Sequence, residues 1–274
     1  RLFSNVYLNP STGIIGINAS GKTSVLKVVL LALEIINNEP INHIETRDIL
    51  GNAKKVVLNV YFYSEKTNDI CRLETVIASR QGRSEQKNYS IISESLWEKS
   101  ADEVNTRKAM LDFSRKNPIV NRDDREEFLS DDVSILIARN KKTKEHIRIV
   151  NLLKYTDQNI LPFSEDIPES VITFLDPTVE WLHFDKNESK PLVRLKFRGE
   201  DEILLNNQAE LNRYLSSGTI KGMITFTLAQ EVLRDGGYLV VDEIENHFNK
   251  EIVSTLMRFF MDTRLNKNGG SLIF

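Results

Sequence analysis

Residues 16–23 combine glycine, lysine and threonine at a spacing that could bind phosphate. Within GIIGINASGKT (13–23) they read G-x-x-x-x-G-K-T. Glycines let backbone N–H groups approach phosphate oxygens, and a helix N-terminus adds its positive end. In such a loop Lys22 reaches the β- and γ-phosphates and Thr23 ligates Mg²⁺. The spacing predicts a nucleotide-binding loop, formed by Gly16, Asn18, Ala19, Ser20, Gly21, Lys22, Thr23 and Ser24.

Two acids at the end of an apolar run could supply the chemistry of hydrolysis. In YLVVDE (238–243) four apolar residues precede Asp242 and Glu243. A buried parallel strand would place Asp242 at its carboxyl end, where it can hold Mg²⁺ together with Thr23. Glu243 would then polarise a water molecule against the γ-phosphate. We therefore predict Glu243 and Lys22 as catalytic residues, and Thr23 and Asp242 as metal ligands.

A third motif, LSSGT (215–219), precedes the acidic strand and opens a predicted helix. A helix N-terminus that carries a hydroxyl and a bare glycine is an anion site. The simpler alternative is a helix cap, because serine and threonine are preferred at that position.

GINASGKT, LSSGT and VVDE, in this order, resemble the ATP-binding-cassette (ABC) class of P-loop ATPases. The first 23 residues also resemble RecF- and SMC-type heads. FLDPTVEWLHF (174–184), followed by LSSGT and VVDEIEN, is similar to AAA ATPases of the OLD and abortive-infection type, which act in prokaryotic anti-phage defence. The resemblance covers residues 1–36 and 172–274.

The resemblance implies a homodimer, or a higher oligomer, in which two heads sandwich ATP and Mg²⁺. The signature residues of one subunit would complete the nucleotide site of the other; they are Ser216, Ser217, Gly218 and Thr219. It also implies an ATPase that gates a probable effector protein, a nuclease or a toxin. The length between loop and signature disfavours a transporter subunit.

Several positions depart from the family pattern. Neither Gln81 nor Gln86 is convincing as the lid glutamine, and Asn246 stands where the dimer loop usually has aspartate. The switch histidine should follow SLIF (271–274), and His247 is the one histidine near the acidic motif. Arg1 is a further candidate for nucleotide contact.

The surrounding patterns predict the elements that position these residues. An apolar run over 12–16 favours a buried strand, and 22–36 favours a buried helix. Residues 55–63 and the segment after SEKTND favour a β-hairpin, whereas 95–150 are charge-dense and helical in composition. Further strands are predicted at 192–198, 238–243 and from 271, with helices from 215 to 233 and from 249 to 264.

The predicted fold class is α/β, a P-loop NTPase of ABC-ATPase type. It would have a mixed central sheet with flanking helices, a β-hairpin lobe and a helical insert. The predicted boundaries are 1–50 and 165–274 for the ATPase core, 51–94 for the β-rich lobe and 95–164 for the insert. We expect a C-terminal part to be missing.

The composition limits the class of protein and the compartment that we expect. Of 274 residues 41% are hydrophobic, the net charge is −3, and Cys71 is the single cysteine. These values favour a folded, cytoplasmic chain without a disulfide, and they disfavour a generally basic, nucleic-acid-binding surface. The longest apolar run is too short to span a membrane.

One basic cluster could bind nucleic acid or an acidic partner. The alternative is that the residues of this cluster form a solvated helix face. The cluster is Arg139, Lys141, Lys142, Lys144 and Arg148. The sequence thus leaves three functions open. They are an ATP-dependent switch in defence, a RecF- or SMC-like DNA-repair ATPase, and a scaffold that binds ATP with negligible hydrolysis.

Overall fold

The computed structural model describes residues 3, 6–80, 88–123, 129–153, 167–185 and 192–274. Its architecture is α/β, with a parallel sheet and flanking helices. The chain divides into two compact units. The first comprises residues 1–9 and 16–147, and the second 10–15 and 148–274. This division does not coincide with the predicted core of 1–50 and 165–274.

A four-stranded parallel sheet lies in the second unit. Its order is β1 (Ser11–Thr12), β11 (Ser271–Ile273), β10 (Tyr238–Val240) and β6 (Ile149–Asn151). The prediction of a mixed sheet was wrong for these strands, since every pairing among them is parallel. The carboxyl ends of parallel strands lie at the same end of the sheet, so the segments that follow β1 and β10 both leave from that end.

Helices and a small antiparallel sheet complete the second unit. The helices are α4 (Glu169–Leu175), α5 (Ser217–Asp235), α6 (Ile244–His247) and α7 (Lys250–Met261). The antiparallel strands are β7 (Val179–Asp185), β8 (Leu192–Phe197) and β9 (Ile203–Leu205), and a 3₁₀ helix covers Gln208–Arg213. One apolar cluster, which includes Phe226, Leu239 and Phe260, connects these elements.

The first unit contains the long helix α1 (Lys22–Ile36) and an antiparallel sheet. The strands follow the order β2 (Lys55–Ser64), β3 (Asp69–Arg80), β4 (Asn88–Ser100) and β5 (Val120–Asn121). Two short helices, α2 (Arg107–Leu111) and α3 (Leu136–Thr143), and the 3₁₀ helices Glu45–Leu50 and Ala101–Glu103 complete it. Its main apolar cluster joins α1, β3 and β4 through residues such as Leu31, Leu73 and Leu96.

Two sequence expectations differ from this structure. The strand predicted at 12–16 ends at Thr12, and Ile15 is 97% exposed. The last backbone hydrogen bond from this segment to the neighbouring strand joins Ile14 N–H to the carbonyl of Phe274, so Ile15 lies beyond the strand pairing that the structure describes. Helix α1 begins and ends where predicted, but Val25 and Val28 are exposed, so it is not buried on every side.

The prediction of mostly helical structure at 95–164 was wrong for the described part. Strand β4 extends to Ser100, β5 and β6 follow, and the α-helices there are α2 and α3 alone. The pairing of β4 with β3 accounts for the strand up to Ser100, because cross-strand pairing can override weak local propensity.

Candidate functional site

The glycine-containing loop forms a turn that ends at the first residue of α1. Ala19 has φ 61° and Gly21 has φ 90°, so the chain takes a left-handed conformation twice within three residues. Gly16 is also constrained, since a Cβ there would lie 2.5 Å from the Ser20 hydroxyl oxygen. The loop is therefore a tight turn with no side chains at its two glycines, as a phosphate-binding loop requires.

The N-terminus of α1 opens directly from this turn. Helix α1 has 15 residues, and its N-cap is Gly21, which provides no side-chain hydrogen bond to the first turn. Such a terminus presents backbone N–H groups and the positive end of the helix dipole. Lys22 folds back across the loop, and its Nζ donates to the carbonyl of Gly16 at 2.9 Å.

Most of the predicted nucleotide-binding residues lie on the surface. Lys22 and Gly21 are half-buried, whereas the exposed members are Gly16, Asn18, Ala19, Ser20, Thr23 and Ser24. A loop of exposed residues that ends in a lysine at a helix N-terminus is compatible with the phosphates of a nucleotide.

The acidic pair follows strand β10 at the carboxyl edge of the parallel sheet. Leu239, Val240 and Val241 are 0% exposed, as predicted for a buried strand. The N–H of Val241 donates to the carbonyl of Ile273, which holds the strand end against β11. Asp242 is half-buried and Glu243 is exposed, so the chain passes from core to surface at these two acids.

Glu243 has a strained backbone and an oriented side chain. Its φ of 50° and ψ of 40° lie in the left-handed region, which is costly for a residue with a Cβ. Its N–H donates to Asp242 Oδ1 at 3.0 Å, and its Oε2 accepts from Asn246 Nδ2 at 3.1 Å. Non-glycine residues in this conformation cluster at functional sites.

The signature segment is the N-terminus of α5. Ser216 Oγ accepts from the N–H of Thr219 at 3.0 Å and lies 2.9 Å from the Thr219 hydroxyl. Ser216 and Ser217 are exposed, Gly218 is half-buried and Thr219 is buried. Ser216 is therefore the N-cap of this helix, and this role leaves the residue exposed.

The start of α5 packs against the segment that follows the acidic pair. A Cβ on Gly218 would lie 3.3 Å from the carbonyl oxygen of His247, so glycine permits this close approach. Lys221 Nζ lies 2.9 Å from His247 Nδ1. Sequence reasoning missed this pair, because nothing in the local pattern connects residues that pack only through the fold.

The structure describes one of the remaining candidates but not the others. Asn246, which stands at the dimer-loop position in the sequence, donates to Glu243 within its own chain. Arg1, Gln81 and Gln86 lie outside the described residues.

The basic cluster is partly neutralised. Arg139 is paired with Glu98 and Glu145, at 2.7 and 2.9 Å, and its side chain is 11% exposed. Arg148 is paired with Glu231 and Asp235 in the second unit. Only Lys141, Lys142 and Lys144 keep the exposed position that a docking site needs, and Lys141 and Lys142 begin the last turn of α3.

Among the described residues, no group of three or more His, Cys, Asp or Glu side chains is arranged to hold a metal ion. Magnesium does not require such a group, because one or two protein ligands and substrate phosphates often suffice. No helix in the described ranges combines the length and apolar character needed to cross a bilayer.

Comparison with protein-family models and with curated proteins found no match to this chain.

Proposed function

We propose that this chain is an ATP-binding and ATP-hydrolysing head that requires Mg²⁺. The observation that carries the proposal is the backbone of the loop. Left-handed Ala19 and Gly21 come directly before an uncapped helix terminus whose first residue is Lys22. A turn of this kind supplies several N–H donors, a helix dipole and a cation for one triphosphate.

The acidic edge supports hydrolysis rather than binding alone. Strands β1 and β10 end at the same edge of the parallel sheet, and the loop follows β1 in the chain. Thr23 and Asp242 would hold Mg²⁺, which neutralises phosphate charge when bound. Glu243 would orient and deprotonate the attacking water, and the hydrogen bond from Asn246 fixes its carboxylate for that role.

Dimerisation on ATP is the second element of the proposal. Ser216, Ser217, Gly218 and Thr219 would meet the γ-phosphate held by another copy, as the resemblance to ABC-type ATPases implies. The exposure of Ser216 and Ser217 is compatible with this contact. Closure of the two heads would gate an effector, a nuclease or toxin, in prokaryotic anti-phage defence; that role rests on the resemblance.

The test separates catalysis from binding. Glu243→Gln should retain affinity for Mg-ATP but lower the ATPase rate by about 10²–10⁴-fold, the usual contribution of a general base. Nucleotide binding is measured by calorimetry and phosphate release by a coupled assay. Lys22→Ala should instead weaken binding itself.

Two nearby positions provide matched controls. Glu245→Gln removes an exposed acid two residues from Glu243, and Lys27→Ala removes a lysine of α1 that pairs with Asp48. Both should keep wild-type binding and turnover. Unchanged turnover in Glu243→Gln would exclude it as the base and leave the ATP-binding scaffold as the better function.

A further inference from the structure

Strand β2 is an outer edge of the antiparallel sheet in the first unit. It pairs with β3 over ten residues without a bulge, from Lys55–Ala78 to Ser64–Asp69. On its other side, no backbone hydrogen bond joins it to any residue in the described ranges. Every second residue of the strand therefore presents an open N–H and C=O.

The usual protections against edge pairing are missing from this strand. Natural edge strands are short, carry proline or central lysines, or bend at a bulge. Strand β2 reads KVVLNVYFYS, and its one charged residue is Lys55 at the first position. On its outer face, Val57 is 53% exposed and Tyr61 is 39% exposed.

The inner face of β2 is apolar but incompletely covered. Its residues pack against the main apolar cluster of the unit, yet each is only half-buried; they are Val56, Leu58, Val60 and Phe62. A neighbouring strand beside β2 would cover this row and extend the cluster.

We infer that a second copy of the chain pairs with β2 in antiparallel orientation, forming one continuous sheet across a two-fold axis. Residues that face each other in an antiparallel pair lie on the same side of the sheet. In a register centred on Asn59 or on Val60, that residue faces the same residue of the other copy. The apolar inner row of one strand then lies beside the apolar inner row of the other. The first register pairs Val57 with Tyr61, a favourable contact between a β-branched and an aromatic side chain.

Charge favours a second copy as the occupant of this edge. No like charges face each other within the strand in these registers, since Lys55 is its only charge. In the register centred on Val60, Lys55 would lie next to the end of the other copy's β2 at Ser64, beside the turn that begins at Glu65. Two strands of this length form about ten backbone hydrogen bonds. The inference does not depend on the proposed function, because none of these residues belongs to the loop or the acidic edge.

The first test is the mass of the chain without nucleotide. Sedimentation velocity should give a dimer for the wild type and a monomer for Val57→Lys, because two added charges would be forced into the pair. Val57→Thr keeps the β-branch and should stay dimeric. Ile92→Lys, at an exposed position on β4, should also stay dimeric. A monomeric wild type, or a dimer that persists in a folded Val57→Lys, would overturn the inference.

Cross-linking tests the geometry of the pairing directly, at the cost of the two hydrogen bonds that Asn59 accepts from Arg72. Cys71 is fully buried, and burial raises the pKa of its thiol to about 12, so it should not react. In Asn59→Cys the register centred on residue 59 places the two new thiols opposite each other, and the register centred on residue 60 places them two positions apart. A short bis-maleimide should join them, but should not join Ile92→Cys. Absence of the residue 59 product under conditions that label its thiol would contradict the pairing.

Discussion

At the residue scale, Glu243 combines a catalytic prediction with a measurable backbone cost. Its left-handed conformation is unfavourable for any residue with a Cβ and free of that cost for glycine. The position therefore keeps a glutamate where stability alone would favour glycine. The proposed role of the carboxylate in hydrolysis would explain why this cost is tolerated.

Comparing Glu243→Gly with Glu243→Ala isolates this cost. Both variants lose the carboxylate and its bond to Asn246, and both should lose ATPase activity. The glycine variant should be more stable than the alanine variant by about 1 kcal/mol, because only alanine keeps the left-handed penalty. Urea unfolding measures the difference. Equal stabilities, or a more stable alanine variant, would show that the backbone is not strained at this residue.

Among the helices and strands, the predictions that were right rest on a clear pattern of apolar positions. Helix α1 was predicted at its observed bounds because glycine at the N-cap precedes a dense apolar run. The hairpin of β2 and β3 and the strand β8 were likewise confirmed, since their alternation reflects burial of one face. In β8, Val193 and Leu195 are 0% exposed, as the pattern predicted.

The failures come from long-range pairing that local patterns do not encode. Glu94 is an ionisable residue that no local pattern marks as buried, yet it is 1% exposed. It accepts hydrogen bonds from Thr75, Ser134 and the N–H of Ile135. Strand β6 was missed for a similar reason, because three residues suffice once they pair with β10. Local motifs predicted the candidate site residues, whereas the contacts that orient them, such as Lys221 with His247, require the fold.

Helix α5 allows the two roles of Ser216 to be separated. Ser216→Ala should lower the free energy of unfolding by about 1 kcal/mol, the usual contribution of an N-cap hydroxyl. Ser216→Asp keeps the cap, because aspartate is an equally good N-cap residue, but adds a negative charge where the γ-phosphate of another copy is expected.

If Ser216 acts in trans, Ser216→Ala should lower the stability, whereas Ser216→Asp should lower the activity without changing the stability. Ser216→Asp should unfold like the wild type in urea yet lose ATP-driven association and most ATPase activity. Full activity in Ser216→Asp would reduce the residue to a helix cap and remove it from the proposed composite site.

At the scale of the whole molecule, the two proposed interfaces use different residues and should be independent. The edge of β2 would pair copies without nucleotide, and the heads would pair only with ATP. Two different two-fold interfaces on one chain generate either a closed tetramer or an open chain of copies. ATP should therefore change the assembly from a dimer to at least a tetramer.

A comparison of variants with and without Mg-ATP tests this scheme by sedimentation velocity. Glu243→Gln, which should bind without hydrolysing, is expected to be dimeric without ATP and at least tetrameric with it. Adding Val57→Lys should give a monomer without ATP and a dimer with it, while Lys22→Ala should stay dimeric throughout. If Glu243→Gln keeps one mass in both conditions, the ATP-driven interface is wrong; if Val57→Lys leaves every mass unchanged, the edge interface is wrong. Each interface can thus fail without the other, because no residue contributes to both.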